Sequence, residues 1–183
     1  MLTIAYGGPH VQEYFTTRYD IRGEKKVQRF WPQSFTDVRT SSSQWHPDDQ
    51  YAFPKFAAEA AKIAAAGGRV AVGSHGNLQG IGYHFEMWGL TMGGMSAHEV
   101  LRSATMVGAQ AIGHTQDLGS IEPGKLADLQ VLDANPLENI RNTNTVRFVM
   151  KNGRLYDAAT LDEVWPRQQK RSTSQWWMAA ERQ

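Results

Sequence analysis

The sequence predicts an α/β fold, and three observations carry that prediction. From Pro54 to Gly68 an alanine-rich stretch closes on Gly67-Gly68 and runs straight into Arg69-Val70-Ala71-Val72-Gly73-Ser74. Helix, glycine turn and an unbroken small or branched run form the signature of a βα repeat, because a strand covered on both faces of a parallel sheet has no place for polar side chains. Between Ala127 and Asp133 the pattern alternates instead. Ala127, Leu129, Val131 and Asp133 point one way and Asp128, Gln130 and Leu132 the other, the period of a half-buried strand. Finally, Asn152-Gly153 separates Val146–Lys151 from Arg154–Tyr156, and Asn-Gly between two such runs is the strongest short hairpin signal.

The remaining elements follow in chain order. Leu2 to Tyr6 reads as a short strand ended by Gly7-Gly8-Pro9. His10 to Asp49 is polar, with Phe15, Phe30, Trp31 and Phe35 interspersed, and reads as an extended, partly helical loop insertion over the mouth of a barrel, of the length that is usually functional or disordered. Pro54 suits the first turn of a helix to about Ala66, whose apolar stripe would be Phe56, Ala60, Ile63 and Ala64. Ser96-Ala97-His98-Glu99 is a capping box. The helix it opens is expected to run to about Ile112, burying Val100, Leu101, Ala104, Val107, Gly108 and Ile112. Glu122-Pro123-Gly124 is a turn, since proline pre-sets φ and glycine accepts a positive one. The tail from Trp165 is polar except for Trp176-Trp177-Met178 and is expected to lie across a neighbouring surface.

Composition narrows the function. The 183 residues are 41% hydrophobic, with 19 Lys+Arg against 18 Asp+Glu, so the chain can build a core and offers no electrostatic footprint for nucleic acid or an acidic membrane. The absence of cysteine removes disulfides, thiolate nucleophiles and Cys-ligated zinc together. No apolar run approaches the ~20 residues of a membrane span, and MLTIAYGGPH lacks the basic and long apolar regions of a secretory signal.

Four stretches carry a resemblance: VAVGSHGNLQGIGYHFEMWGL (70–90), GGMSAHEVLRSATMVGAQAIG (93–113), GSIEPGKLADLQVLDANP (119–136) and NTVRFVMKNGRLYDAATLDEVWP (144–166). Together they resemble the C-terminal portion of the amidohydrolase superfamily, where a metal-dependent (β/α)8 barrel of the TIM type gives way to a small β-sandwich. The resemblance implies a partial barrel, its last two strands being Leu2 to Tyr6 and Arg69 to Ser74, within residues 1–115. Sandwich strands would follow at 116–158 and a tail at 159–183. A whole barrel needs about 250 residues, so the expectation is the end of a larger enzyme.

Gly73-Ser74-His75-Gly76 holds the first candidate site residue. Barrel active sites lie at the C-terminal ends of the strands, and His75 follows the last one. Most amidohydrolases have an aspartate there, which binds the metal and takes a proton from the attacking water. A neutral imidazole also ligates zinc or acts as a base, so the resemblance implies a catalytic and metal-ligating role for His75; the alternative is a histidine hydrogen-bonded in a loop. His84 and Glu86, read as alternate residues of an extended segment, would face one pocket and bind substrate, or else anchor the loop as a polar pair. Tyr6 would reach the same mouth as an oxyanion donor or as packing, and so would His10. His46, His98 and His114 read as structural, and Lys125 and Asp128 as holding the junction between barrel and sandwich.

The resemblance implies a hydrolase of C–N bonds in amides, cyclic amides or peptides, using a divalent metal, zinc in the first place. The family's first-strand His-x-His is absent, and no other His-x-His occurs in the chain. A hydrolytic metal needs several protein ligands and an open position, so the expectation is that this chain alone retains well under one equivalent of metal and is catalytically incomplete. It would then self-associate or pair with an upstream segment. The rival reading is a non-catalytic fragment or subunit that folds by association.

Overall fold

A computed structural model of the chain describes residues 10–74 and 78–171. The expected strand Leu2 to Tyr6, the candidates Tyr6 and His75, and Trp176-Trp177-Met178 lie outside the described residues. Among the described residues seven α-helices come first: α1 (Val11–Thr16), α2 (Lys25–Phe30), α3 (Gln33–Ser41), α4 (Phe53–Ala65), α5 (Ile81–Met92), α6 (Ala97–Ala104) and α7 (Met106–Ala111). Four strands follow, β1 (Leu129–Leu132), β2 (Val146–Lys151), β3 (Arg154–Asp157) and β4 (Glu163–Trp165). A 3₁₀ segment, Ile140–Asn144, precedes β2.

The core forms around α5, which buries Ile81, Phe85, Met87, Trp88 and Leu90 on nearly all sides, the mark of an interior helix. Phe15 of α1 stacks on Phe85 at 5.2 Å and meets Trp88 edge-on at 5.4 Å. Val11, Phe15, Ile21 and Val27 all join this core. The segment 10–49 is therefore a helical layer that closes the core, where the sequence had suggested an insertion over a barrel mouth. Its aromatic residues supply the burial that its polar composition conceals.

α4 packs against α5 through small residues. A Cβ on Gly93 would lie 2.2 Å from the carbonyl carbon of Ala57, so only glycine permits the approach. Phe53 and Ala57 are the buried positions, while Phe56 and Ile63 are 55% and 53% exposed. Of the expected stripe, Ala60 and Ala64 pack on the core and Phe56 and Ile63 do not, because contact goes to the face that allows closest packing. Val70 and Val72 pack on the core and Val72 N–H donates to the Ser103 carbonyl at 3.2 Å. Arg69 to Ser74 pairs with no strand among the described residues, and Arg69, Ala71 and Ser74 are exposed. The expected burial on both faces requires neighbouring strands, which the described residues do not provide.

The capping box is formed: Ser96 Oγ accepts from Glu99 N–H, and Glu99 accepts from Ser96 N–H at 2.8 Å. The helix it opens breaks at Thr105, whose φ −124° and ψ −89° divide α6 from α7. The break turns Ile112 outward and buries Ser103 and Ala109 instead.

The strands form one antiparallel sheet in the order β1-β2-β3-β4. Lys125 N–H donates to Glu122 O at 3.2 Å, closing the Glu-Pro-Gly turn before β1. The hairpin stands where expected, with Asn152 at φ 48° and Gly153 at φ 75°, both central residues in the left-handed region that such turns demand. Asp128 clamps that turn, accepting from Asn152 N–H at 2.7 Å and pairing with Lys151. Lys125 donates to Ser120 Oγ at 2.6 Å. Both residues brace the turns on either side of β1.

Candidate functional site

The first turn of α5 gathers the polar side chains of interest. Gln12 of α1, itself buried, donates from Nε2 to the Gly82 carbonyl at 2.8 Å. A Cβ on Gly82 would stand 2.7 Å from Gln12 Oε1 and 3.1 Å from Ser74 Oγ. Glycine at 82 therefore lets α1 and the end of the Arg69 to Ser74 segment meet the helix. Glu86, 3% exposed, is one turn further along the same face, since residues four apart overlie each other.

His84 is elsewhere. The segment from Ile81 is helical rather than extended, and in a helix two residues two apart leave the axis about 200° apart. His84 and Glu86 therefore do not line one wall, correcting the expected alternation. The alternating polar pattern was short, and the buried side chains Phe85, Met87 and Trp88 around it serve an interior helix equally well.

What His84 meets is Thr143 in the Ile140–Asn144 segment. Thr143 Oγ1 donates to the Ile140 carbonyl at 2.9 Å and accepts from Trp88 Nε1 at 3.1 Å. His84 Nδ1 lies 3.1 Å from the same oxygen. A hydroxyl has one proton and two lone pairs, so all three contacts are satisfied together only when His84 carries its proton on Nδ1. Nε2 is then an acceptor. Burial, and after it the Lys26 charge, push His84 down to about 4 against an opposing pull from Glu24, so the ring is neutral at neutral pH.

Around this histidine a polar junction joins the helical layer to the sheet. Tyr19 O–H donates to Glu24 Oε2 at 2.7 Å, and Asn144 Nδ2 donates to both, at 3.0 and 3.1 Å. Lys26 Nζ donates to the carbonyls of Asn144 and Val146. Burial and the Glu24 carboxylate push Tyr19 up to about 12. Gln12, Thr143, Tyr19, Glu24, Lys26 and Asn144 escaped the sequence reading. They stand in no motif, and only packing between distant segments assembles them.

The other histidines among the described residues lie apart from this junction. His10 caps α1, its Nδ1 accepting from Glu13 N–H at 3.3 Å, and burial lowers it despite the nearby Glu13. His46 packs edge-on against Tyr51 at 5.7 Å. His98 sits exposed in the first turn of α6. His114 follows α7 with Nδ1 3.5 Å from Asp117. Among the described residues no group of three or more His, Asp or Glu side chains converges as a metal would require. The described residues therefore do not fit the metal that the resemblance implies, and no chemical step through one is derived from them.

Comparison with known proteins places the chain. The sequence model described as the amidohydrolase family matches residues 47–156, more than half of the chain. The chain belongs to the amidohydrolase family, a family of hydrolases. An imidazolonepropionase of Porphyromonas gingivalis is 36% identical over 106 residues, covering 54% of this chain and 25% of that protein. Another, from Shouchella clausii, is 42% identical over 64 residues, covering 33% of this chain and 14% of its own length. Among solved structures, a Xaa-Pro dipeptidase with methionine in its active site superposes with a TM-score of 0.53 at 28% identity, covering 80% of this chain and 32% of that one. The chain thus spans a quarter or less of these curated relatives and about a third of that structure.

Proposed function

We propose that this protein belongs to a metal-dependent hydrolase of C–N bonds in amides, cyclic amides or peptides, and that the chain is inactive by itself. The observation that carries the reading is the family match over residues 47–156. It includes the segment around His75, and the relatives named above are imidazolonepropionases and a dipeptidase. In this reading Arg69 to Ser74 is a barrel strand, and β1 to β4 belong to a sandwich.

His75 takes the proton from a water attacking the carbonyl carbon, and returns it to the departing nitrogen as the C–N bond breaks. A divalent metal, zinc in the first place, would acidify that water when bound, with most of its ligands coming from outside the described residues. Tyr6 donates to the developing oxyanion. Glu86, on the Gln12 and Ser74 side of α5, is the substrate contact of the pair. His84, bonded to Thr143 on the other side of the helix, takes the alternative role of a polar anchor. The exposed positions Phe56, Ile63 and Ala71 support association with a further polypeptide or a second copy, since apolar surface of this kind is normally covered.

The test uses the protein as isolated from its own source, with any associated chain retained. It is loaded with zinc and assayed against a panel of cyclic amides and Xaa-Pro dipeptides for release of amine or ring-opened acid. Hydrolysis is expected, with His75→Ala lowering kcat by about 10²–10⁴-fold while KM changes little. An inactive metal-loaded preparation across the panel overturns the enzymatic reading. Undiminished turnover in His75→Ala at unchanged metal content overturns the role of that histidine.

A further inference from the structure

The Asn152-Gly153 turn is held by the chain just ahead of β1. Gly153 N–H donates to the Ala127 carbonyl at 3.1 Å, and Asn152 N–H donates to Asp128 Oδ1 at 2.7 Å. Lys151 pairs with the other oxygen of Asp128. The Lys151 bond, and after it the Asn152 N–H, hold that carboxyl below its usual range. Three polar contacts thus meet at one turn. The Asn152 side chain is exposed, and its amide makes no hydrogen bond among the described residues.

The other described asparagines differ on both counts. Asn135, Asn139, Asn142 and Asn144 each commit their side chains to hydrogen bonds. They precede Pro136, Ile140, Thr143 and Thr145. Proline has no N–H, and β-branched side chains crowd the backbone beside them. Asn152 is the one asparagine of the chain followed by glycine, which carries no Cβ.

We propose that Asn152 is a site of spontaneous deamidation, and that Ala127 and Asp128 set its rate by holding the turn closed. In the reaction the Gly153 nitrogen loses its proton and bonds to Asn152 Cγ. The Cγ–Nδ2 bond breaks, and that nitrogen leaves as ammonia with the proton. Water then opens the cyclic imide at either carbonyl, leaving aspartate or isoaspartate. In the closed turn the Gly153 N–H is engaged with Ala127 and its backbone is fixed. Attack therefore waits for the turn to open, and such openings follow local rather than global stability. The isoaspartate product adds a methylene to the backbone of a two-residue turn whose length sets the register of β2 and β3. Either product places a new carboxylate near that of Asp128. Conversion therefore loosens the clamp that delayed it.

The test follows the full chain at neutral pH by peptide mapping and mass, with the same chain unfolded in urea as the open reference. Conversion is expected to concentrate at Asn152 and to run about tenfold faster or more in the unfolded chain. Asp128→Ala removes a hydrogen bond to a charged group and is expected to speed conversion in the folded chain by about tenfold. Asp133→Ala takes away an exposed carboxylate 3.6 Å from Arg147 and is expected to leave the rate unchanged. Asp128→Asn keeps an acceptor for the Asn152 N–H and is expected to fall between the two, which separates the clamp from a general loss of fold in the alanine variant. Faster conversion at another asparagine of the folded chain overturns the site. Equal rates in the folded and unfolded chain, or in Asp128→Ala and the unaltered chain, overturn the clamp.

Discussion

The helical layer and the sheet solve the same problem in different ways. Around α5 the core is closed by residues from far along the chain, with Phe15, Phe53 and Phe85 all fully buried. In the sheet the strands pair with one another, yet Leu129, Val131, Phe148, Met150, Leu155 and Trp165 stay half-buried or exposed. Hydrogen bonding fixes a sheet's register without giving it a core, and stability comes from area removed from water. The comparison predicts an asymmetry in cost. Phe85→Ala, which removes a ring touching Phe15, Tyr19 and Trp88, should destabilise by about 3–5 kcal/mol. Leu129→Ala on the sheet should cost less than about half of that. Urea titrations of the two variants give both numbers, and equal costs would mean the sheet face is as closed as the helical core.

The two regions should also part company with pH. His84 is held at about 4, below its ordinary ~6.5, so the unfolded chain binds the extra proton first. Its contribution is complete above pH ~6.5 and is lost as pH falls towards 4, a change of roughly 2–4 kcal/mol. Hydrogen bonds from Arg154 and then Arg167 hold Glu163 at about 2, against an ordinary ~4.3. That contribution is present above pH ~4.3 and lost between there and 2. Acid should therefore loosen the junction of Lys26, His84 and Thr143 before it loosens β3 and β4. Stability measured from pH 7 to 4 in His84→Gln should be markedly flatter than in the unaltered chain. An unchanged slope would show that His84 already titrates normally.

How much of this was legible in the sequence depended on the range of the interaction. The capping box at Ser96, the Glu-Pro-Gly turn and the Asn152-Gly153 hairpin are read from adjacent residues, and each is found where the residues put it. Phe56 and Ile63 on α4 and the helix through Thr105 were misread because burial there follows partners. Gly93 selects the Ala57 face, and a single dihedral pair at Thr105 splits the helix. His84 and Glu86 show the limit for the site. Their spacing suits a strand facing one pocket, but α5 sends them to opposite sides, one to Thr143 and one to the face of Gly82. Nothing local announces Gln12, 70 residues before its Gly82 partner. The family resemblance, carried by several segments at once, survived these local errors because it does not depend on any one of them.

The smallest expected effect tests whether the helical layer is one cooperative unit. Ser96 Oγ accepts from Glu99 N–H at 3.2 Å, and Glu99 Oε2 returns the bond to Ser96 N–H. The Ser96 hydroxyl, which also donates to Glu99 Oε2 at 2.7 Å, and after it the Ser96 N–H hold Glu99 below the usual carboxylate range. Ser96→Ala leaves one helix donor to water, which costs about 1 kcal/mol in a typical cap. Only Val100 and Ser103 of α6 are buried, so fraying can begin there without opening the aromatic core around α5. Hydrogen exchange should quicken in α6 while the amides of α5 keep the protection of global unfolding, reduced only by the ~1 kcal/mol lost overall. A larger loss in α5 than in α6 would show that α6 holds the core shut, and the division between a closed helical layer and an open sheet would then have to be redrawn at the capping box.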